Sequence, residues 1–302
     1  MSDDGFTTAA IVRNWRELVE IEDKYSDPGE EWVFRGDSCV RPLQPTLERM
    51  TAGTSVNRGK LESQLIRDFR RSFRIHAPSA EPPAEDDDIL YWLSLMRHFG
   101  TPTRLLDFTY SFFIASFFAL ESQAQSDAVV WLVSKTWLTR HNVKAMMEID
   151  GEEFCETWGK RRPEAFDKIF FQENSAYKEG VFSVNPAASH QRLHLQQGLF
   201  LSPVNIERSF SDNLLAYTGY DNKVLKVVIK RDCREEILLK LHRAGTNREL
   251  LFPGLDGFAQ GLQSRTPLLY SYLADRDKTG ARVATDNQGN FLWAKYYQDY
   301  CK

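Results

Sequence analysis

The stretch Leu95-Met96-Arg97-His98-Phe99-Gly100-Thr101-Pro102-Thr103-Arg104-Leu105-Leu106-Asp107-Phe108-Thr109 packs a helix end, a turn and the start of an extended segment into a short span. The run Ile89 to Arg97 predicts a helix that delivers His98 near its C-terminal end. Gly100 suits the residue after a helix and Pro102 cannot continue one, so the helix stops there. Leu105 and Leu106 open an extended piece, and an apolar helix follows over roughly Ser111 to Leu120.

Working outward, Trp32-Val33-Phe34 reads as a short strand that ends at Arg35-Gly36-Asp37. Before it, Ile11, Val12, Trp15, Leu18 and Val19 recur at helical steps, which predicts a helix from Ile11 to Tyr25 after ten polar, frayed residues. A basic helix is expected over Leu61 to Ile75, and the Pro- and acid-rich stretch Ala77 to Asp88 reads as an exposed loop. Ala128 to Val133 is a continuous apolar run of the kind found in interior strands. Further strands are expected at Arg192 to Leu201 and Val224 to Ile229. Helices are expected around Lys135 to Glu148, Pro163 to Gln172, Cys233 to His242 and Leu255 to Gln263. Together these predict one α+β domain over residues 1–302, a single mixed or antiparallel sheet surrounded by helices.

Twenty Phe, 11 Tyr and 7 Trp supply ample buriable area, which excludes disorder for the bulk of the chain. The net charge of −4 gives no overall attraction to nucleic acid or anionic lipid. Arg67, Arg70, Arg71 and Arg74 at helical spacing, and the run Lys160-Arg161-Arg162, read first as solvated surface and otherwise as local basic grooves. Cys39, Cys155, Cys233 and Cys301 form no CxxC pair, so a thiolate metal site is not expected. No apolar run reaches membrane-spanning length and no export signal is visible, which leads to the expectation of a cytoplasmic protein without membrane partners.

Four segments carry polar groups beside glycines or helix breaks: Phe34-Arg35-Gly36-Asp37, the segment from His98 to Thr109, Arg192 to Phe200, and Leu251 to Ala259. An arginine at a strand end followed by glycine can hold phosphate or carboxylate with two parallel donors, or form a structural ion pair. In the second segment the alternatives are a site built on a rigid turn and a pinning Arg104–Asp107 bridge with His98 as a capping group. The third reads as a partly alternating strand presenting Gln196 and Gln197, and the fourth as a turn into a helix that serves packing.

The ordered set Phe-Arg-Gly, Arg-His-Phe-Gly-Thr-Pro-Thr-Arg-Leu-Leu-Asp-Phe-Thr, Gln-Gln-Gly-Leu-Phe and Leu-Phe-Pro-Gly-Leu-Asp-Gly-Phe resembles the FRG domain family, which takes its name from the first motif. The resemblance runs from about Glu31 to Leu262, with 135–185 a candidate insert between the better-matched motifs. Arg97 departs from the pattern, since the family commonly has Gln there. Family members occur in bacteria and phages, some in defence or toxin-like settings, so the resemblance implies such a setting as one expectation.

More distantly, the chain is similar to ADP-ribosyltransferases of the Arg-Ser-Glu kind, which implies NAD as cofactor or substrate. On that likeness Arg35 matches the first element, and Asp107-Phe108-Thr109 with the following helix matches the second. The strand at Gln196 to Leu201 then matches the third, with Gln where Glu is expected. The resemblance implies Arg35, His98, Asp107 and Gln197 as catalytic residues. It implies Phe34, Arg35, Gly36, Thr103, Arg104, Thr109 and Gln196 as nucleotide-binding residues, with no metal. Asp107, Glu173 or Glu249 would supply the missing carboxylate, and the acceptor would be protein, nucleic acid or water. Two alternatives stay open: a non-catalytic nucleotide- or partner-binding module, and a nuclease or hydrolase using His98 and Asp107.

Overall fold

A computed structural model describes residues 5–26, 28–77, 88–122, 125–172, 175–186 and 191–262. Cys301, Glu173 and most of the Ala77–Asp88 loop lie outside the described residues. The fold is α+β, as expected: one mixed sheet of seven strands in the order β1-β7-β4-β2-β3-β6-β5. These are β1 (Thr7–Val12), β2 (Trp32–Asp37), β3 (Leu106–Thr109), β4 (Ala128–Ser134), β5 (Val181–Val184), β6 (Gly198–Pro203) and β7 (Val224–Ile229). Only β1 and β7 pair in parallel; the other neighbours are antiparallel.

Every residue of β4 is buried, which is why its sequence is apolar without alternation. Its alternate side chains feed two cores. Val130 and Leu132 join Phe34, Val227 and the helix α5 (Phe112–Glu121) on one face, while Val129, Trp131 and Val133 join Val33, Leu199 and Leu201 on the other. A third core lies over the β3-β6-β5 wing, where Phe200, Phe182 and Val184 meet α4 (Ile89–His98) and α8 (Pro163–Phe170). Residues 135–185 therefore supply core as well as surface. Trp137 and Phe170 are buried, and Trp158 and Phe171 pack against the third core.

Two expectations are corrected here. The predicted helix from Ile11 is instead β1 followed by α1 (Trp15–Tyr25), because the Asn14 side chain caps α1 by accepting the Glu17 amide. The β-branched stretch before it pairs with β7 rather than fraying. The predicted strand Arg192 to Leu201 is a short helix, α9 (Gln191–Leu195), then β6. Gln197 makes the join in a left-handed conformation (φ 47°).

The β2–β3 contact positions the site. Strand β2 pairs with β4 along its whole length, from Trp32↔Ser134 to Asp37↔Val129. Against β3 it registers only at Phe34↔Thr109. The sheet is thus joined at one end of this seam and open at the other, beside Arg35 and Asp107.

Candidate functional site

Alternation along β2 sorts the Phe-Arg-Gly motif. Phe34 is buried edge-to-face against Phe112, with ring centroids 5.4 Å apart. Gly36 lies on the same side, where α5 runs so close that a Cβ would collide with the Ala115 carbonyl oxygen and the Ala119 amide nitrogen. Both outer positions of the motif are spent on packing against α5, and neither lines the clefts described below. Arg35 points to the opposite side and into the seam. Its Nη1 donates to the Asp107 backbone carbonyl at 2.8 Å and lies 3.8 Å from the Asp107 carboxylate. Its Nε sits 3.4 Å from buried Asp37, whose other oxygen accepts from Arg41. With its side chain only 14% exposed, Arg35 is a bridge across the opening.

Asp107 reaches a cavity. Its side chain is 44% exposed and lines a cleft of ≈ 270 Å³ with Arg97, His98, Arg192, Gln196 and Phe200. Arg97, in the last turn of α4, donates Nε (2.7 Å) and Nη2 (2.5 Å) to Oδ2, while its Nη1 donates to Thr46. Asp107 Oδ1 accepts no hydrogen bond from any described residue. Burial pushes the carboxyl pKa up, but the charges of Arg97, Arg35 and Arg192 outweigh it and hold the group below its ordinary value. The anion is therefore fixed, with one oxygen left for a partner.

Arg192, on α9, supplies the cleft's cation. It makes no ion pair among the described residues and lies over the Phe252 ring at 4.3 Å. Burial lowers its pKa, and the Arg97 and Arg248 charges push the same way against the pull of Asp107 and Glu121. That crowding leaves positive potential for an incoming anion. The first cleft meets a second of ≈ 540 Å³ at His98 and Arg192, lined also by Arg248 and Phe252. Arg248 is tied to Glu121 and stacks on Phe252 at 4.2 Å. His98 is half-buried; burial, then the Arg192 charge, lowers its pKa and favours the neutral ring.

The remaining candidates separate clearly. Gln196 lines the cleft; its Nε2 donates to the Leu251 carbonyl at 3.1 Å, which leaves its Oε1 available. Gln197 is exposed on the turn and does not line the cleft. Thr109 is buried and spends its hydroxyl internally, donating to the Gln196 carbonyl (2.8 Å) and accepting from the Ser111 amide. Thr103 is fully buried. Arg104 is buried against Glu62, donating Nε to Oε2 at 2.6 Å, with Phe171 stacked on its guanidinium. The Arg104–Asp107 bridge, one of the two alternatives for this segment, is not formed; two others stand in its place, Arg104–Glu62 and Arg97–Asp107. Thr103, Arg104 and Thr109 are thus buried and line neither cleft. Glu249 is exposed on α12 (Arg248–Leu251) and lines neither cleft.

Residues that sequence reading left unassigned matter most. Arg192 and Phe252 stand within the third and fourth motifs, but their meeting depends on α9 packing against α12, which no local pattern announces. Among the described residues no group of three or more His, Cys, Asp or Glu is placed to hold a metal ion. No helix there is long and apolar enough to cross a membrane.

The family model of the FRG domain matches residues 30–128. That region supplies Arg35, Arg97, His98 and Asp107, while Arg192 and Gln196 come from beyond it. The third and fourth motifs also lie outside the matched residues. Comparison with curated proteins and with solved structures gives no match.

Proposed function

Because the chain carries an FRG domain over residues 30–128, we propose that its cleft binds a nucleotide with a pyrophosphate and acts on NAD at the nicotinamide glycosidic bond. The observation that carries this reading is the pairing of a fixed, half-exposed carboxylate, Asp107, with Arg192, which makes no ion pair among the described residues, in one cavity. Phosphate groups go to Arg192, where the guanidinium offers two parallel donors. Phe252 and the adjoining cavity give room for a nucleoside.

In the reaction the C1′–N bond breaks with its electron pair leaving on nicotinamide, and positive charge develops on the ribose. Asp107 Oδ1 stabilises that charge, and Arg97 keeps the carboxylate ionised and oriented. The amide oxygen of Gln196 accepts from a ribose hydroxyl. Water or another acceptor then bonds to C1′ and gives up its proton to neutral His98. Consumption of NAD would suit a toxin or phage-defence role. The test is release of nicotinamide from NAD by the intact chain. Asp107→Asn, which keeps the shape and removes the charge, should cut the rate by at least about 100-fold. Equal rates for the two proteins, or no release by the wild type, would refute cleavage.

A second reading, nucleotide binding without turnover, draws on one observation. An amide, Gln196 or Gln197, stands where the resemblance expects Glu, and half of the Asp107 carboxylate is already committed to Arg97. ADP-ribose binding with no nicotinamide release would select it.

A further inference from the structure

A separate cavity of ≈ 250 Å³ lies beside the third core, at the end of β5. It shares no lining residue with either cleft described above. Phe166 and Leu90 form its apolar floor, and Ser183 and Asn185 present hydrogen-bonding groups at one wall. Trp158 and Tyr110 supply aromatic surface. Its cations are Lys135, Arg161 and Arg162. Lys135 is already held by Glu31 and lies over the Tyr110 ring. Arg161 and Arg162 are exposed and make no ion pair among the described residues. Among the described lining residues Asp88 is the one carboxylate, and it caps α4 by accepting the Tyr91 amide at 2.9 Å. Among the described residues positive charge is thus in excess at the rim, above an aromatic and hydroxyl-bearing interior.

Arg161 follows α7 (Glu152–Gly159) with φ 56°, a left-handed conformation that ends the helix there.

We infer that this cavity is a second ligand site, selective for an aromatic anion of the nucleoside monophosphate kind. The phosphate sits between Arg161 and Arg162 and the ring lies against Trp158 and Tyr110. Stacking and charge act together there, as they do wherever a base and its phosphate are held at once. The proposal stands apart from the reading of the Asp107 cleft, since no residue is common to both.

Calorimetric titration of the whole chain with adenosine 5′-monophosphate tests it, with inorganic phosphate as a parallel titrant. Both arginines are exposed, so the Arg161→Ala/Arg162→Ala protein should fold as the wild type does, which circular dichroism checks. The double variant should lose about tenfold in affinity per arginine, while Arg192→Ala retains this binding. Phosphate alone should bind much more weakly than the nucleotide. Absence of nucleotide binding would overturn the proposal, as would wild-type affinity in the double variant. So would loss of all binding in Arg192→Ala, or phosphate binding as tight as that of the nucleotide.

Discussion

Arg35 Nη1 donates to the backbone carbonyl of Asp107 at 2.8 Å, across a seam where β2 and β3 share one registered pair. The side chain does here what ladder hydrogen bonds do elsewhere in the sheet, and it also faces buried Asp37. Removing it leaves a buried carbonyl and weakens the compensation of a buried carboxylate. Arg35→Ala should therefore destabilise the fold by about 3 kcal/mol, read as a lower urea midpoint. Unchanged stability with lost nucleotide binding would instead make Arg35 a ligand contact.

Gly36 is fixed by the approach of α5. Gly36→Ala drives a methyl group into the Ala115 and Ala119 backbone, which cannot yield as a flexible side chain would. We expect a loss of about 3 kcal/mol or more, seen in thermal denaturation. A variant as stable as the wild type would show that α5 can move off β2.

The Arg104–Glu62 pair is enclosed, with side chains 3% and 0% exposed. Arg104→Met strands a buried carboxylate and should cost about 3–5 kcal/mol. Adding Glu62→Gln should recover part of that loss, because the uncompensated charge is gone. A double variant no better than the single one would place the cost in packing instead.

Stability should depend on pH through two groups in different windows. Burial, then the Arg192 charge, holds folded His98 below its ordinary value of 6.5. Between 6.5 and that lowered value the unfolded chain binds the extra proton, so stability is full above the window and falls as pH drops through it. Asp107 is lowered too, so its contribution is present above the unfolded carboxylate pKa and is lost only as pH falls through the folded one. Melting temperatures taken from pH 8 downward should decline in the first window for the wild type. His98→Gln should flatten that decline; an unaltered slope would assign it to another group.

Much of the fold is readable where one signal dominates. The runs Ala128 to Val133 and Val224 to Ile229 are strands, and the largely apolar segment after Ser111, broken by Ser116, is the buried helix α5. Reading fails where two patterns overlap. Ile11 and Val12 fit helical spacing with Trp15 yet belong to β1, and only the cap at Asn14 separates the two elements. Of the candidate site residues, His98, Asp107 and Gln196 line one cleft. The ionic partners were not legible in the sequence. Nearness along the chain favoured Arg104 for Asp107, whereas the turn hands Asp107 to Arg97 and sends Arg104 to Glu62 on α3 (Arg58–His76). Arg192 could be recognised only once α9 and α12 were seen to meet.

Whether a nucleotide is held at the Asp107–Arg192 cleft is measured most directly by calorimetric titration with ADP-ribose. Wild-type protein should bind one equivalent there, and Arg192→Ala should weaken that binding by about 30-fold or more with its melting temperature preserved. Equal affinity in the two proteins, or no heat of binding from the wild type, would contradict binding at this cleft.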